Sequence, residues 1–141
     1  MKVNDNMKLD SQLCFPLYAA ARKIVNLYTP YLKPLGLTYT QYIMFLVLWE
    51  EEEIKVGELC KRLKLDTGTV TPMLKNTEKQ GLITRTRSEE DERVVVVSLT
   101  EEGKALYKKA KDIPTKLSSC VRLSPDEAKQ LYSTLYKLLE E

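Results

Sequence analysis

The sequence predicts a mainly α-helical protein with one small β-hairpin. Apolar residues recur at helical spacing through most of the 141-residue chain, which indicates amphipathic helices. The period changes only after Gly81, where residues 82–87 and the valine-rich residues 93–99 flank a polar turn at 88–92. Residues of high β-propensity on both sides of such a turn favour a hairpin. A content of 43% hydrophobic and 30% charged residues is typical of a single globular domain.

The first helix is expected within residues 9–34. It ends near Pro34 and Gly36. Pro16 cannot donate a backbone hydrogen bond, so the helix is either kinked there or becomes regular only near Pro16. Both readings place Cys14 at or near a helix N-terminus. Apolar residues three or four apart mark one face of the helix: Leu13, Leu17, Ala20, Ile24, Leu27, Tyr28 and Tyr31.

Cys14 is a candidate redox thiol. The free N–H groups and the dipole at a helix N-terminus favour a thiolate, which is the form of cysteine that attacks a peroxide. The alternative is a small apolar side chain buried between Leu13 and Phe15. Cys60 is expected to be a packing residue without a redox role.

No metal or other cofactor is expected. The chain has no histidine, which removes Ser-His and Cys-His catalysis, and its three cysteines lack the spacing of zinc ligands. The longest apolar run, residues 42–49, is too short to cross a bilayer, and the N-terminal residues lack the apolar core of a secretion signal. We therefore expect a cytoplasmic protein with no membrane partner.

The middle of the chain has the pattern of a helix-turn-helix. Thr38 and Gln41 form a possible capping box for a helix through Trp49, which a run of glutamates ends in solvent. Two amphipathic segments then follow, residues 56–63 and 66–80, separated by only two residues. Asp66 is a plausible N-cap of the second segment, and Gly81 would end it.

A helix-turn-helix followed by a hairpin can bind double-stranded DNA. The net charge of +2 is weak evidence for this, because residues 54–100 contain nine Lys/Arg and seven Asp/Glu. The DNA prediction therefore depends on motif and geometry, and a small α/β core with a solvated hairpin is the alternative. The candidate DNA-binding residues are Asp66, Thr67, Thr69, Thr71 and Lys75 on the second helix and Arg85, Arg87 and Arg93 on the hairpin.

The C-terminal part predicts further helices. Thr100 can cap a helix over residues 101–112, which Pro114 interrupts. Ser124 and Glu127 form a capping box with proline at the first helical position, which is a strong helix start. A leucine stripe follows and needs a partner surface, either the first helix of the same chain or a second chain. It consists of Leu131, Leu135, Leu138 and Leu139.

These segments resemble the MarR-type winged-helix repressors, and most of all the organic-hydroperoxide-sensing OhrR branch. The resemblance implies a winged helix-turn-helix at 38–100 between dimerisation helices at 9–34 and 101–141. It also implies that the single MarR-type domain forms a homodimer and that its effector is an organic hydroperoxide. The residues that carry the resemblance are 13–15 (LCF), 35–39 (LGLTY), 65–85 with its TVTP step at 69–72, 91–93 (DER) and 97–103 (VSLTEEG).

The resemblance assigns further roles. It implies that Asp91 holds Arg93 in position and that Tyr28 and Tyr39 donate hydrogen bonds around Cys14. Cys14 and Tyr28 are fourteen residues apart on one helix, about 21 Å along its axis, so Tyr28 can serve only the cysteine of a second subunit. By its offset from Cys14, Cys120 resembles the resolving cysteine of the two-cysteine subgroup. If Cys120 is only a loop residue, a small thiol would cap oxidised Cys14 instead.

We therefore predict a DNA-binding repressor that releases its operator when an organic hydroperoxide oxidises Cys14. The same-fold alternative is a MarR-type regulator that responds to general oxidants, to virulence signals or to a phenolic ligand. A thiol peroxidase is a poorer fit, because it needs a base or a positive charge near Cys14, and Arg22 and Lys23 are two turns away. A protein-interaction module that uses the leucine stripe would bind partners but no operator.

Overall fold

The computed structural model describes residues 1–140. Two short 3₁₀ turns, Asp5–Met7 and Leu9–Ser11, precede the first α-helix, and a third, Lys33–Leu35, follows it. In chain order, the helices and strands of the described part are α1 (Cys14–Leu32), α2 (Tyr39–Glu51), β1 (Glu53–Lys55), α3 (Val56–Leu63), α4 (Thr67–Lys79), β2 (Ile83–Arg87), β3 (Val95–Leu99), α5 (Glu101–Ala110), α6 (Ile113–Ser118) and α7 (Pro125–Leu139). The mainly helical fold with a small hairpin is confirmed.

Helix α1 begins at Cys14, which agrees with the reading that the regular helix starts near Pro16, and residues 9–11 form a separate 3₁₀ turn. Pro16 lies in the first turn of α1, where backbone N–H groups have no partner within the helix and a proline therefore costs no hydrogen bond. After α1, Gly36 adopts the left-handed conformation (φ 69°) and turns the chain into α2. Thr38 and Gln41 form the predicted capping box.

The sheet has three antiparallel strands in the order β1-β3-β2, where the sequence predicted only the hairpin. The additional strand β1 is three residues long and pairs Ile54 with Val97. Ile54 is buried between two exposed neighbours, a pattern too short to be recognised as a strand from the sequence. The hairpin loop extends over residues 88–94, two residues longer than predicted.

The glutamates that end α2 form ion pairs instead of simply facing solvent. Arg62 of α3 binds both Glu50 (2.7 Å) and Glu51 (3.0 Å), and Lys104 of α5 binds Glu52 (3.2 Å). All these side chains are partly exposed, so each pair is worth little on its own. Together they tie the end of α2 to α3 and α5.

The hydrophobic core lies between α2, the helix-turn-helix and the sheet. Helix α2 is buried over most of its circumference and supplies the largest core side chains. The fully buried residues are Leu32, Tyr42, Met44, Phe45, Leu48, Leu59, Val70, Leu74, Thr77, Ile83 and Val97. Helix α4 is consequently held by one face, Val70, Leu74 and Thr77, which leaves its opposite face open.

Helix α7 starts with the predicted capping box of Ser124 and Glu127, but none of its residues is buried. Its leucine stripe is largely exposed, with Leu131 at 41% and Leu138 at 64%, so the first helix of the same chain does not cover it. The start of α1 is also apolar and open, and Leu13 is 80% exposed. No helix within residues 1–140 is long and apolar enough to span a membrane.

Candidate nucleic-acid interface and redox site

Asp66 fixes the start of α4. Its Oδ1 accepts a hydrogen bond from the backbone N–H of Thr69 (2.8 Å), and its Oδ2 accepts one from the Thr69 hydroxyl (2.9 Å). These bonds hold the pKa of Asp66 below its usual range. Two of the predicted DNA-binding residues are therefore bonded to each other, and they shape the helix start rather than present free groups.

One side of α4 carries Thr67, Thr71 and Lys75. They are four residues apart, so they form one row along the helix, beside the row of the buried Val70 and Leu74. Thr67 and Lys75 are exposed, and Thr71 is half-buried. This face offers two hydroxyls and one ammonium group, which can contact base edges and phosphates.

A groove of about 510 Å³ lies between α3, α4 and the hairpin. Thr67 and Thr71 line it from α4, and Arg93 lines it from the hairpin. Among the described residues, three further basic side chains and one acidic side chain contribute to its wall, so basic groups outnumber acidic ones there. Those side chains are Lys55, Lys61, Arg85 and Glu58.

Arg85 is half-buried and bound to α4. Its Nε (3.0 Å) and Nη2 (2.7 Å) donate to Oε2 of Glu78, and its backbone N–H donates to Oε1 (3.1 Å). The hydrogen bonds from the Arg85 side chain hold the pKa of Glu78 below its usual range. The Arg85 guanidinium thus joins the hairpin to α4, and its contact with DNA stays a prediction.

Arg93 and Arg87 lie toward the hairpin tip. The Arg93 side chain is 91% exposed. Its backbone N–H (3.0 Å) and Nε (3.1 Å) donate to Asp91 Oδ1, which holds the pKa of Asp91 below its usual range. Arg87 donates to the carbonyl of Glu92 (2.7 Å), which stiffens the loop. Asp91 thus orients Arg93 as the resemblance implied, and Arg93 projects from the hairpin.

Cys14 is the first residue of α1, and it is an exposed free thiol. Tyr18 follows one turn later on the same face and is 61% exposed, with the Arg22 guanidinium 5.5 Å from its ring centre. Tyr18 was missed in the sequence, although its i+4 spacing from Cys14 could have indicated it. The open start of α1 therefore carries a thiol, a phenol and a cation.

Tyr28 and Tyr39 come together inside one chain, with ring centres 4.9 Å apart in an edge-to-face arrangement. Tyr42 joins them, 5.5 Å from Tyr28. Burial raises the pKa of all three phenols, that of Tyr42 to about 12, so they stay protonated at neutral pH and can donate hydrogen bonds. Tyr42 was missed in the sequence, although it lies one turn after Tyr39 on α2.

This tyrosine cluster and Cys14 lie at opposite ends of α1. Fourteen residues separate Cys14 from Tyr28 within one continuous helix, about 21 Å along its axis. Cys120 follows α6 as an exposed free thiol, with Sγ 3.6 Å from the carbonyl of Lys116. Cys60 is buried, as expected for a packing residue.

Comparison with known proteins identifies the family. Residues 26–110 match the SarA/Rot family of transcriptional regulators. The chain is 53% identical over 136 residues to the organic hydroperoxide resistance transcriptional regulator of Bacillus subtilis, covering 96% of this chain and 92% of that protein. The chain belongs to the MarR-type winged-helix transcription regulators. A regulator of this family is not an enzyme, which removes the thiol peroxidase alternative.

Two further relatives are informative for this MarR-type chain. SarZ of Staphylococcus aureus is 40% identical over 131 residues, covering 93% of this chain and 88% of SarZ. Reduced AbfR bound to DNA superposes with a TM-score of 0.80 at 35% identity, covering 96% of this chain and 94% of AbfR. The disulfide-formed AbfR superposes with a TM-score of only 0.66 at 34% identity over 96% of both chains. The chain therefore superposes better on the reduced, DNA-bound AbfR than on the disulfide form.

Proposed function

We propose that this chain is a homodimeric repressor that releases its operator when an organic hydroperoxide oxidises Cys14. One observation carries the proposal: an exposed thiol begins α1, while a cluster of protonated tyrosines lies at the other end of the same helix. The similarity to the Bacillus subtilis regulator, and to AbfR in reduced and disulfide forms, supports a redox signal.

The DNA contacts follow from the side of α4 that carries the two threonines and Lys75. In the proposed complex, Thr67, Thr71 and Lys75 face the major groove of each half-site. Arg93, oriented by Asp91, reaches the backbone or the adjacent minor groove, and Arg87 contacts the backbone beside it. Asp66 and Thr69 fix the helix start that presents these side chains to the DNA.

Dimerisation would complete the sensor. The exposed leucine stripe of α7 and the open apolar start of α1 are surfaces that a second copy can bury. In a symmetric dimer, each tyrosine cluster can approach a thiol that its own chain cannot supply. Tyr28 and Tyr39 then donate hydrogen bonds to Cys14 of the partner subunit. These bonds stabilise the thiolate and orient it for attack.

The chemistry requires only the hydroperoxide as oxidant. The Cys14 thiolate attacks the terminal oxygen of the hydroperoxide; the S–O bond forms, the O–O bond breaks, and the alkoxide leaves as the alcohol after it takes up a proton. Cys14 is then a sulfenic acid. The thiol of Cys120 of the partner subunit attacks this sulfur, an S–S bond forms, and water leaves. A small cellular thiol would give a mixed disulfide by the same step.

A mobility-shift experiment tests this function. The probe is the DNA upstream of the chain's own gene, with and without an organic hydroperoxide, for the wild type and for Cys14→Ser. We expect both proteins to bind in reducing buffer and only the wild type to release. Release that persists in Cys14→Ser would overturn the redox mechanism and favour a ligand-responsive regulator.

A non-reducing gel separates the two fates of the sulfenic acid. After treatment with one equivalent of hydroperoxide, the wild type should run as a linked dimer, and Cys120→Ser should not. The alternative outcome is a monomer band for both proteins, together with a mixed disulfide at Cys14 when a small thiol is present. It would show that the small thiol, and not Cys120, reacts with the Cys14 sulfenic acid. Cys60→Ser is the matched control, because Cys60 is buried and should leave the linked dimer unchanged.

A further inference from the structure

A partly buried polar network joins the first turn of α2, and the turn before it, to the C-terminal end of α4. Gln41 is 2% exposed and Thr77 is 0% exposed. The Gln41 Nε2 donates to the Thr77 hydroxyl (2.9 Å) and to Gln80 Oε1 (2.9 Å), across 36 and 39 residues of sequence. The Gln80 Nε2 in turn donates to the carbonyl of Gly36 (3.0 Å). We call Gln41, Thr77 and Gln80 the polar relay.

Every hydrogen-bonding group of the Gln41 side chain is used. Its Oε1 accepts from the backbone N–H of Thr38 (2.9 Å), and both of its amide hydrogens have acceptors in the relay. The Thr77 hydroxyl donates a hydrogen bond to the carbonyl of Met73 (2.8 Å). Apolar side chains of the same shape could hold α2 against α4 about as well. The relay also fixes the orientation of α2 relative to α4, because its hydrogen bonds form in only one relative placement of these two helices.

The relay starts beside the tyrosine cluster. Tyr39 lies two residues before Gln41 in the same first turn of α2, and its ring touches that of Tyr28. A displacement of Tyr39 therefore moves the backbone that carries Gln41.

The other end of the relay lies at the last turn of the DNA-binding helix. Gln80 is the C-cap of α4, and Gly81 follows it in the left-handed conformation (φ 74°). The carbonyl of Gly81 accepts a hydrogen bond from the hydroxyl of Thr100 (2.7 Å), which anchors this point to the start of α5. A displacement of Gln41 that is transmitted to Thr77 or Gln80 would therefore tilt α4 about its anchored C-terminal end instead of shifting the whole helix.

We propose that Gln41 is a positioning residue that transmits the redox state of the sensor to α4 through Thr77 and Gln80. This inference rests on the proposed function, because it takes oxidation of Cys14 as the input. When the sensor at Cys14 of the partner subunit changes shape, Tyr39 moves, the first turn of α2 follows, and the relay changes the tilt of α4 against its half-site. The relay thus determines how strongly oxidation alters operator affinity.

The experiment measures operator affinity by fluorescence anisotropy before and after oxidation of Cys14 to the same extent, which mass spectrometry verifies. Gln80→Met removes two relay bonds at an exposed position, so it should fold normally. Thr77→Val removes the Gln41 acceptor without touching the capping box. The ratio of the dissociation constants of the oxidised and reduced proteins should fall roughly 2- to 30-fold in each variant, while the reduced protein changes less. Gln130→Met is the matched control, since it makes the same change at an exposed glutamine of α7.

The outcomes separate the two proposals. A wild type that keeps its operator after Cys14 is oxidised overturns the proposed function and this inference with it. A wild type that releases, with Gln80→Met and Thr77→Val showing the wild-type ratio, overturns the inference alone. Equal weakening of the reduced and oxidised forms would also overturn it, because a merely structural role leaves the ratio unchanged. In the double variant, effects of Gln80→Met and Thr77→Val that do not add indicate a single relay.

Discussion

Helix α5 approaches the backbone before β2 closely at Gly103. A Cβ on Gly103 would lie 2.1 Å from the carbonyl oxygen of Leu82 and 3.1 Å from Leu99 Cδ2, whereas ordinary contact begins at 3.4 Å. The first neighbour is backbone, so Gly103→Ala would push α5 away from the sheet by about 1 Å. We expect a loss of about 1–3 kcal/mol in the free energy of unfolding, from a total that is typically about 5–15 kcal/mol.

Trp49 provides the assay for this change. It is the single tryptophan of the chain, and its indole N–H donates to the carbonyl of Gly103 (3.1 Å). Thermal unfolding followed by Trp49 fluorescence, at one fixed protein concentration, should show Gly103→Ala melting about 3–12 °C below the wild type. The Trp49 emission of the folded variant should also shift, because the hydrogen bond from the indole N–H to the carbonyl of residue 103 is distorted.

Gly57→Ala is the matched control. Within residues 1–140, no atom lies within 4 Å of a Cβ at Gly57, which lies in the first turn of α3. This substitution should leave the melting temperature unchanged or raise the stability by about 0.4–1 kcal/mol. A Gly103→Ala protein that melts with the wild type and with Gly57→Ala would refute the close approach of α5 to Leu82.

Three further predictions concern the interface, the hairpin and the sensor. Arg93→Ala should weaken binding to all DNA sequences about equally and reduce the salt slope of log K by about 1 per half-site, as measured by anisotropy; a loss confined to one sequence would contradict a backbone contact. The pKa of Glu78 is lowered by Arg85, so the stability that this ion pair contributes is present above about pH 4.5 and is lost as the pH falls through the lowered pKa. Urea titrations at several pH values should show Glu78→Gln losing less stability on acidification than the wild type. An equal loss in both proteins would argue against the ion pair. Tyr28→Phe keeps the ring and removes the hydroxyl, so hydroperoxide should oxidise Cys14 roughly fivefold more slowly in stopped-flow assays, and an unchanged rate would exclude the hydrogen bond.

Local chemistry made the helix boundaries predictable. Thr38, Asp66 and Ser124 each begin a helix because a short polar side chain satisfies free N–H groups three residues later, and these groups are visible in sequence. Gly81 ends α4 because it adopts a positive φ (74°) that other residues avoid. The start of α1 was less certain, since Pro16 is compatible with a kink and with a first turn alike.

Features that depend on distant partners were not predictable. Strand β1 exists because Ile54 pairs with Val97, and three residues have no period that reveals it. The capping role of Gln41 was evident, but its bond to Thr77 crosses 36 residues. In the candidate site, the basic residues of the hairpin were identified from their charge alone. Charge could not show that Arg85 is engaged by Glu78 while Arg93 projects from the hairpin.

The most direct test of the account follows Cys14 oxidation and operator binding in one titration. Substoichiometric steps of organic hydroperoxide are added to the protein–operator complex, and each sample is divided between anisotropy and mass spectrometry of the peptide containing Cys14. If oxidation of Cys14 causes release, the fraction of DNA released rises together with the fraction of Cys14 oxidised. Release that precedes oxidation of Cys14, or a complex that stays intact with Cys14 fully oxidised, would contradict it.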